Sequence, residues 1–141
     1  SGLAYAVLHP VAATAEKTWP AERFLAVASH LEQNHGLEPV FIAGPGEDVS
    51  PFSRFRTVAG APLSETKSLL GGAAIFVGND SGPAHMAAAL GVPVVVLFGP
   101  SDPVIWAPWR VESQVLTEAG GIESITVDDV IRAAANLRVA Q

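Results

Sequence analysis

The chain has 141 residues, 49% of them hydrophobic, with a formal net charge of −6 and no cysteine. That length fits one domain, residues 1–141, with a sizeable buried core. The acidic balance excludes a general nucleic-acid or anionic-membrane surface, though not a small local basic site, and the lack of cysteine excludes disulfides and cysteine-ligated zinc.

Residues 4–8 read as the first strand, ended by His9-Pro10. The chain opens almost directly into it, with no signal peptide in front, as expected of a domain excised from a longer protein, with Ser1-Gly2 as a cloning remnant. No segment reaches the ~18 apolar residues of a membrane span. Residues 11–18 form a small-residue loop holding Lys17. A helix is predicted to begin at Thr18 or Trp19, with Pro20 in its first turn. Phe24, Leu25, Val27, Ala28 and Leu31 give it an apolar stripe at helical spacing, and Asn34-His35-Gly36 closes it. Residues 40–43 form the second strand, followed by Gly44-Pro45-Gly46-Glu47-Asp48. A short helix and a short strand around Thr57-Val58 fit the weakly patterned stretch 51–60. A helix then starts near Leu63 with Ser64 as its cap and Leu69 and Leu70 inward, and Gly71-Gly72 breaks it.

Residues 74–77 are a short, unbroken apolar run, the signature of a strand buried on both faces. Residues 83–90 are small and helix-compatible, Pro83 suits a first turn, and Gly91 ends the helix. Residues 94–98 are another buried strand. Strand, turn, helix and strand here make a minimal parallel crossover. A proline-rich loop with Trp106 and Trp109 follows over 99–110, and 114–116 is a candidate sixth strand. In the last helix Thr126 is the N-cap, Asp129 holds the capping-box position, and Val130, Ile131, Ala134 and Leu137 face inward. Alternating strands and helices predict an α/β fold with a Rossmann-like, doubly wound parallel sheet.

Three loops would share the carboxyl edge of that sheet, where open α/β folds bind ligands. The turn Gly78-Asn79-Asp80-Ser81-Gly82 leads into a helix start, whose N–H groups and positive dipole end suit a phosphate. Glycine there admits close approach of a ligand, and His85 falls in the same helix's first turn. Residues 10–18 supply Lys17 beside Thr14, and residues 44–49 supply Glu47, placed to accept hydrogen bonds from ribose hydroxyls. Local sequence fits blander roles as well: a capped βα turn, a solvated loop lysine, a first-turn helix acid. The Gly44-Pro45-Gly46 stretch is not the dinucleotide fingerprint, because Val49 stands where glycine or alanine belongs. There is no phosphate-loop lysine motif and no nucleophile elbow, and the four histidines lack metal-ligand spacing.

Taken together, His9-Pro10, Lys17-Thr18-Trp19-Pro20, the run from Phe76 through Asp80-Ser81-Gly82-Pro83-Ala84-His85, Gly91-Val92-Pro93 and Phe98-Gly99-Pro100 resemble glycosyltransferase family 9, the ADP-heptose:lipopolysaccharide heptosyltransferases. The resemblance runs from about residue 4 to residue 109 and is most specific over Asp80–His85; residues 51–62 and 111–141 add little. It implies the C-terminal, donor-binding half of a two-domain GT-B enzyme. Lys17 would then bind a donor phosphate, Asp80, Ser81, Gly82 and His85 would meet the diphosphate and sugar, and Glu47 would hold the ribose. Ala12 and Ala13 stand where family members often carry a hydroxyl, and Thr14 is the substitute for it.

Sugar transfer builds negative charge on the leaving diphosphate, which Lys17, the helix amides and a protonated His85 would stabilise in place of a metal ion. The resemblance thus implies no metal and no cofactor beyond the ADP-sugar donor. It puts the catalytic base and the lipid-linked saccharide acceptor with an N-terminal domain, so this half alone would be inactive. It implies a cytoplasmic protein and allows a peripheral position at the inner face of the bacterial inner membrane. Two alternatives stay open: a UDP-sugar-dependent GT-B transferase or epimerase domain, and a non-catalytic nucleotide-binding module. A nicotinamide-dependent oxidoreductase lacks its glycine fingerprint.

Overall fold

Alternation along each strand divides the apolar residues between two layers. The computed structural model describes residues 4–11, 18–79, 82–97, 113–116 and 125–140. Six strands form one sheet: β1 (Tyr5–His9), β2 (Glu38–Ala43), β3 (Arg56–Ala59), β4 (Ile75–Asn79), β5 (Val94–Leu97) and β6 (Ser113–Leu116). Their order is β3-β2-β1-β4-β5-β6, and every neighbouring pair is parallel. That is the doubly wound order with its reversal between β1 and β4.

Helices α1 (Ala21–His35) and α4 (Val127–Ala140) cover one face, and α2 (Leu63–Gly71) and α3 (Gly82–Ala89) cover the other. Ala6, Leu8, Ile75, Val77, Val95 and Leu97 point toward α1 and α4, where Trp19, Phe24, Leu31, Val130 and Leu137 meet them. Val7, Phe76, Val94 and Val96 point the other way, toward Leu70, Ala84, Ala87 and Ala88. Parallel strands covered on both faces read as unbroken apolar runs for this reason.

Several boundaries differ from the sequence expectation. Strand β2 begins at Glu38 rather than residue 40, because the ladder with β1 extends through Tyr5↔Glu38 and Ala6↔Pro39. Helix α1 begins at Ala21, with Pro20 outside it in the cap position at ψ 139°. The Pro20 carbonyl accepts from the Arg23 and Phe24 amides at 3.1 and 3.3 Å. Ser64 does not cap α2; Pro62 holds that position, without a side-chain cap bond. Strand β4 runs on to Asn79, so Gly78 and Asn79 belong to the sheet rather than to the turn.

Other readings hold. Gly91 stops the helical chain at a φ of 84°, a conformation suited to glycine. The α4 capping box is complete: Asp129 N–H donates to Thr126 Oγ1 at 3.1 Å, and Thr126 N–H donates to Asp129 Oδ2 at 3.0 Å. Those bonds hold the Asp129 carboxyl below its ordinary pKa. Among the described residues no helix is long and apolar enough to cross a membrane.

Candidate functional site

A reversal of strand order opens a crevice at the carboxyl ends of the two strands that flank it, because the helices that follow them leave toward opposite faces. Here those ends are His9 on β1 and Asn79 on β4, with His9 and Gly78 in register. Gly78 is required by packing. A Cβ there would stand 3.0 Å from the His9 carbonyl oxygen and 2.9 Å from the Phe76 ring. Expected as a residue that admits ligand, Gly78 instead admits the neighbouring strand. Gly82, which opens α3, has no atom of the other described residues within 4 Å of an added Cβ.

Asn79 is fully buried, and its amide ties three backbone segments together. Nδ2 donates to the Pro10 carbonyl at 2.9 Å and to the His9 carbonyl at 3.5 Å. Oδ1 accepts from the Trp19 N–H at 3.3 Å. Trp19 is itself fully buried, edge-on to Phe24 at 5.1 Å. Its indole N–H donates to the Ile125 carbonyl at 2.8 Å, and the Arg23 guanidinium donates to the same oxygen at 2.9 Å. One buried carbonyl thus clamps the start of α4 onto the start of α1.

Glu47 lies in the loop after β2, before the 3-10 turn Ser50–Phe52, so it is not a first-turn helix acid. Its Oε1 accepts from the Gly44 N–H, which turns the carboxylate back toward the strand end. His9, at the end of the neighbouring strand β1, is buried. Burial pushes the His9 imidazole below its ordinary pKa, and the Glu47 charge pulls it partly back up. The end of β1 and the loop after β2 therefore share one electrostatic environment. His85 occupies the first turn of α3 with its side chain exposed. Thr14, Lys17, Asp80 and Ser81 lie outside the described residues, as do Trp106 and Trp109. Among the described residues no group of three or more His, Asp or Glu could hold a metal ion.

Asn79 and Trp19 were visible in the sequence only as letters of a motif. The usable signal was a polar residue ending an otherwise apolar strand, immediately before a candidate ligand turn. Buried asparagine is costly unless its amide is satisfied, so such a position demands partners.

Strand order and crevice define a Rossmann-type domain. A profile of glycosyltransferase family 9 (heptosyltransferase) matches residues 2–126. Lipopolysaccharide heptosyltransferase 3 of Escherichia coli is 34% identical over 119 residues, covering 77% of this chain and 35% of that protein. Among solved structures, a family 9 glycosyl transferase from Veillonella parvula superposes with a TM-score of 0.89 at 28% identity, covering 99% of this chain and 47% of the other. TibC of enterotoxigenic E. coli, a dodecameric iron-containing heptosyltransferase in complex with ADP-D-beta-D-heptose, gives 0.83 at 18% identity over 99% of this chain and 46% of its own, a likeness of fold alone. The chain belongs to glycosyltransferase family 9. It spans about a third of the length of the E. coli relative and about half of the solved chains.

Proposed function

We propose that this chain is the donor-binding half of a heptosyltransferase of lipopolysaccharide core biosynthesis, and that an ADP-sugar of the ADP-heptose type binds in the crevice between β1 and β4. The observation that supports this most directly is the Asn79 amide, which joins Pro10 and Trp19 at the strand-order reversal. Residues 11–18 leave and return through those two points, and Asp80 follows Asn79 in the chain. Lys17 is two residues before Trp19 in the chain. The described residues from which both motif segments leave, Pro10, Trp19 and Asn79, are thus joined at one strand-order reversal.

In this reading Lys17, Thr14 and the backbone amides at the start of α3 receive the diphosphate, with Asp80, Ser81, Gly82 and His85 at the phosphate and sugar end. Glu47, its carboxylate oriented by the Gly44 amide, accepts from the ribose hydroxyls. As the anomeric bond breaks, negative charge grows on the leaving ADP, and preorganised cations and N–H dipoles stabilise it where it forms. No metal is needed for that step. The catalytic base and the acceptor site belong to the part of the relatives that this chain does not span, so this half performs no transfer alone.

Calorimetric titration with ADP, with and without EDTA, tests the site. Lys17→Ala is expected to weaken ADP by about 1–3 kcal/mol, the cost of losing a charged hydrogen bond, or roughly 5- to 150-fold. Unchanged affinity removes Lys17 from the donor site, and binding abolished by EDTA removes the metal-free mechanism.

A further inference from the structure

We propose that Asn79 is the positioning residue of the donor site: it sets the two motif-bearing loops against each other without touching the donor. The inference rests on the donor-site reading above and adds a residue to it. Asn79 is the last residue of β4 and is fully buried. Both ends of its amide are used, Nδ2 on the His9 and Pro10 carbonyls and Oδ1 on the Trp19 N–H. His9 and Pro10 stand where the chain leaves β1, and Trp19 stands where it turns into α1. One planar group therefore fixes the separation of the two stems of one loop, while its own backbone launches the other loop at Asp80.

The chemistry asks for a donor and an acceptor on one short side chain. Aspartate would face two carbonyls with a charge and no proton to give. Alanine would leave buried backbone groups unpaired, and glutamine is one methylene too long for a packed strand end. Gly78 acts alongside: its missing side chain lets β4 press against the His9 carbonyl, bringing Asn79 within reach.

The test uses Asn79→Ala and Asn79→Ser in the full chain, with Leu70→Ala as a control. Leu70 is equally buried but lies on α2, in the opposite layer. Amide hydrogen exchange is measured without ligand, followed by ADP titration of each variant alone and combined with Lys17→Ala. Both Asn79 variants are expected to speed exchange across residues 11–18 and 80–82, and Leu70→Ala is not. ADP affinity is expected to fall roughly tenfold or more, the size of a buried hydrogen-bond loss. In the Lys17→Ala background most of that fall is expected to disappear, because the loop being positioned has lost its charge. Unchanged exchange in both segments, or fully additive losses, overturns the proposal. Wild-type protein that fails to bind ADP contradicts the donor reading instead, and the exchange comparison still decides what Asn79 does. If Asn79→Ala does not fold, Asn79→Ser, which keeps one hydroxyl, supplies the same comparison.

Discussion

The two faces of the sheet are packed by different means. On the α1 and α4 side the core is made of large rings: Trp19 edge-on to Phe24, and Phe41 stacked on Phe52 at 4.4 Å. A shared carbonyl, that of Ile125, locks α4 to α1 there. On the α2 and α3 side α2 contributes Leu70, but the contacts of α3 are small: Ala84, Ala87 and Ala88 against Phe76, Val94 and Val96. Five rings, Trp19, Phe24, Phe41, Phe52 and Phe55, stand among the aliphatic residues buried on the α1 and α4 side. Alanines bring α3 close to β4 and β5, and with it the helix start that faces the crevice. Both faces bury apolar side chains, but the buried residues of α3 are all alanines.

That contrast can be broken from either side. The largest effect is expected from Trp19→Ala, which empties a fully buried ring site and strips a partner from Ile125. Such truncations cost about 3–5 kcal/mol, a large share of a domain's stability, and chemical denaturation reads it directly. A loss below about 1 kcal/mol would mean that the rings do not carry this face. Ala87→Leu is expected to cost about 1–3 kcal/mol by overpacking the opposite layer, as judged from the denaturation midpoint. A neutral result there would show that α3 has room to move away from the sheet.

Smallest is a pH effect at the crevice. Burial lowers the His9 pKa in the folded chain, against the pull of Glu47. As pH falls below the ordinary histidine value of about 6.5, the unfolded chain takes up that proton first. His9 therefore costs nothing above that pH and destabilises the fold progressively below it, until the folded-state pKa is passed. The slope of stability against pH between about 7 and 5 should be shallower in His9→Gln. An identical slope in both proteins would place the acid sensitivity elsewhere.

Much of the fold was legible because its signals are local. Apolar runs gave the strands, and a stripe at helical spacing gave α1. Thr126 and Asp129 announced the α4 capping box because the two partners are three residues apart. What failed was also physical. Pro39 hid the start of β2, since proline reads as a strand breaker, and Ser64 looked like a cap that Pro62 pre-empts. Asn79 and Trp19 were opaque for a different reason: their partners are backbone atoms 60 to 106 residues away. Of the candidate site, residue types and their edge of the sheet were legible in advance. Glu47 turned back onto the Gly44 amide, and Gly78 serving the strand rather than the ligand, needed the folded chain.

The most direct test of the donor-half account is competitive calorimetric titration of this chain with ADP, UDP and NAD, without added metal and in the presence of EDTA. The account predicts saturable binding of ADP in preference to the other two, weakened by Lys17→Ala. Tighter binding of UDP or NAD, or ADP binding that Lys17→Ala leaves untouched, would contradict it.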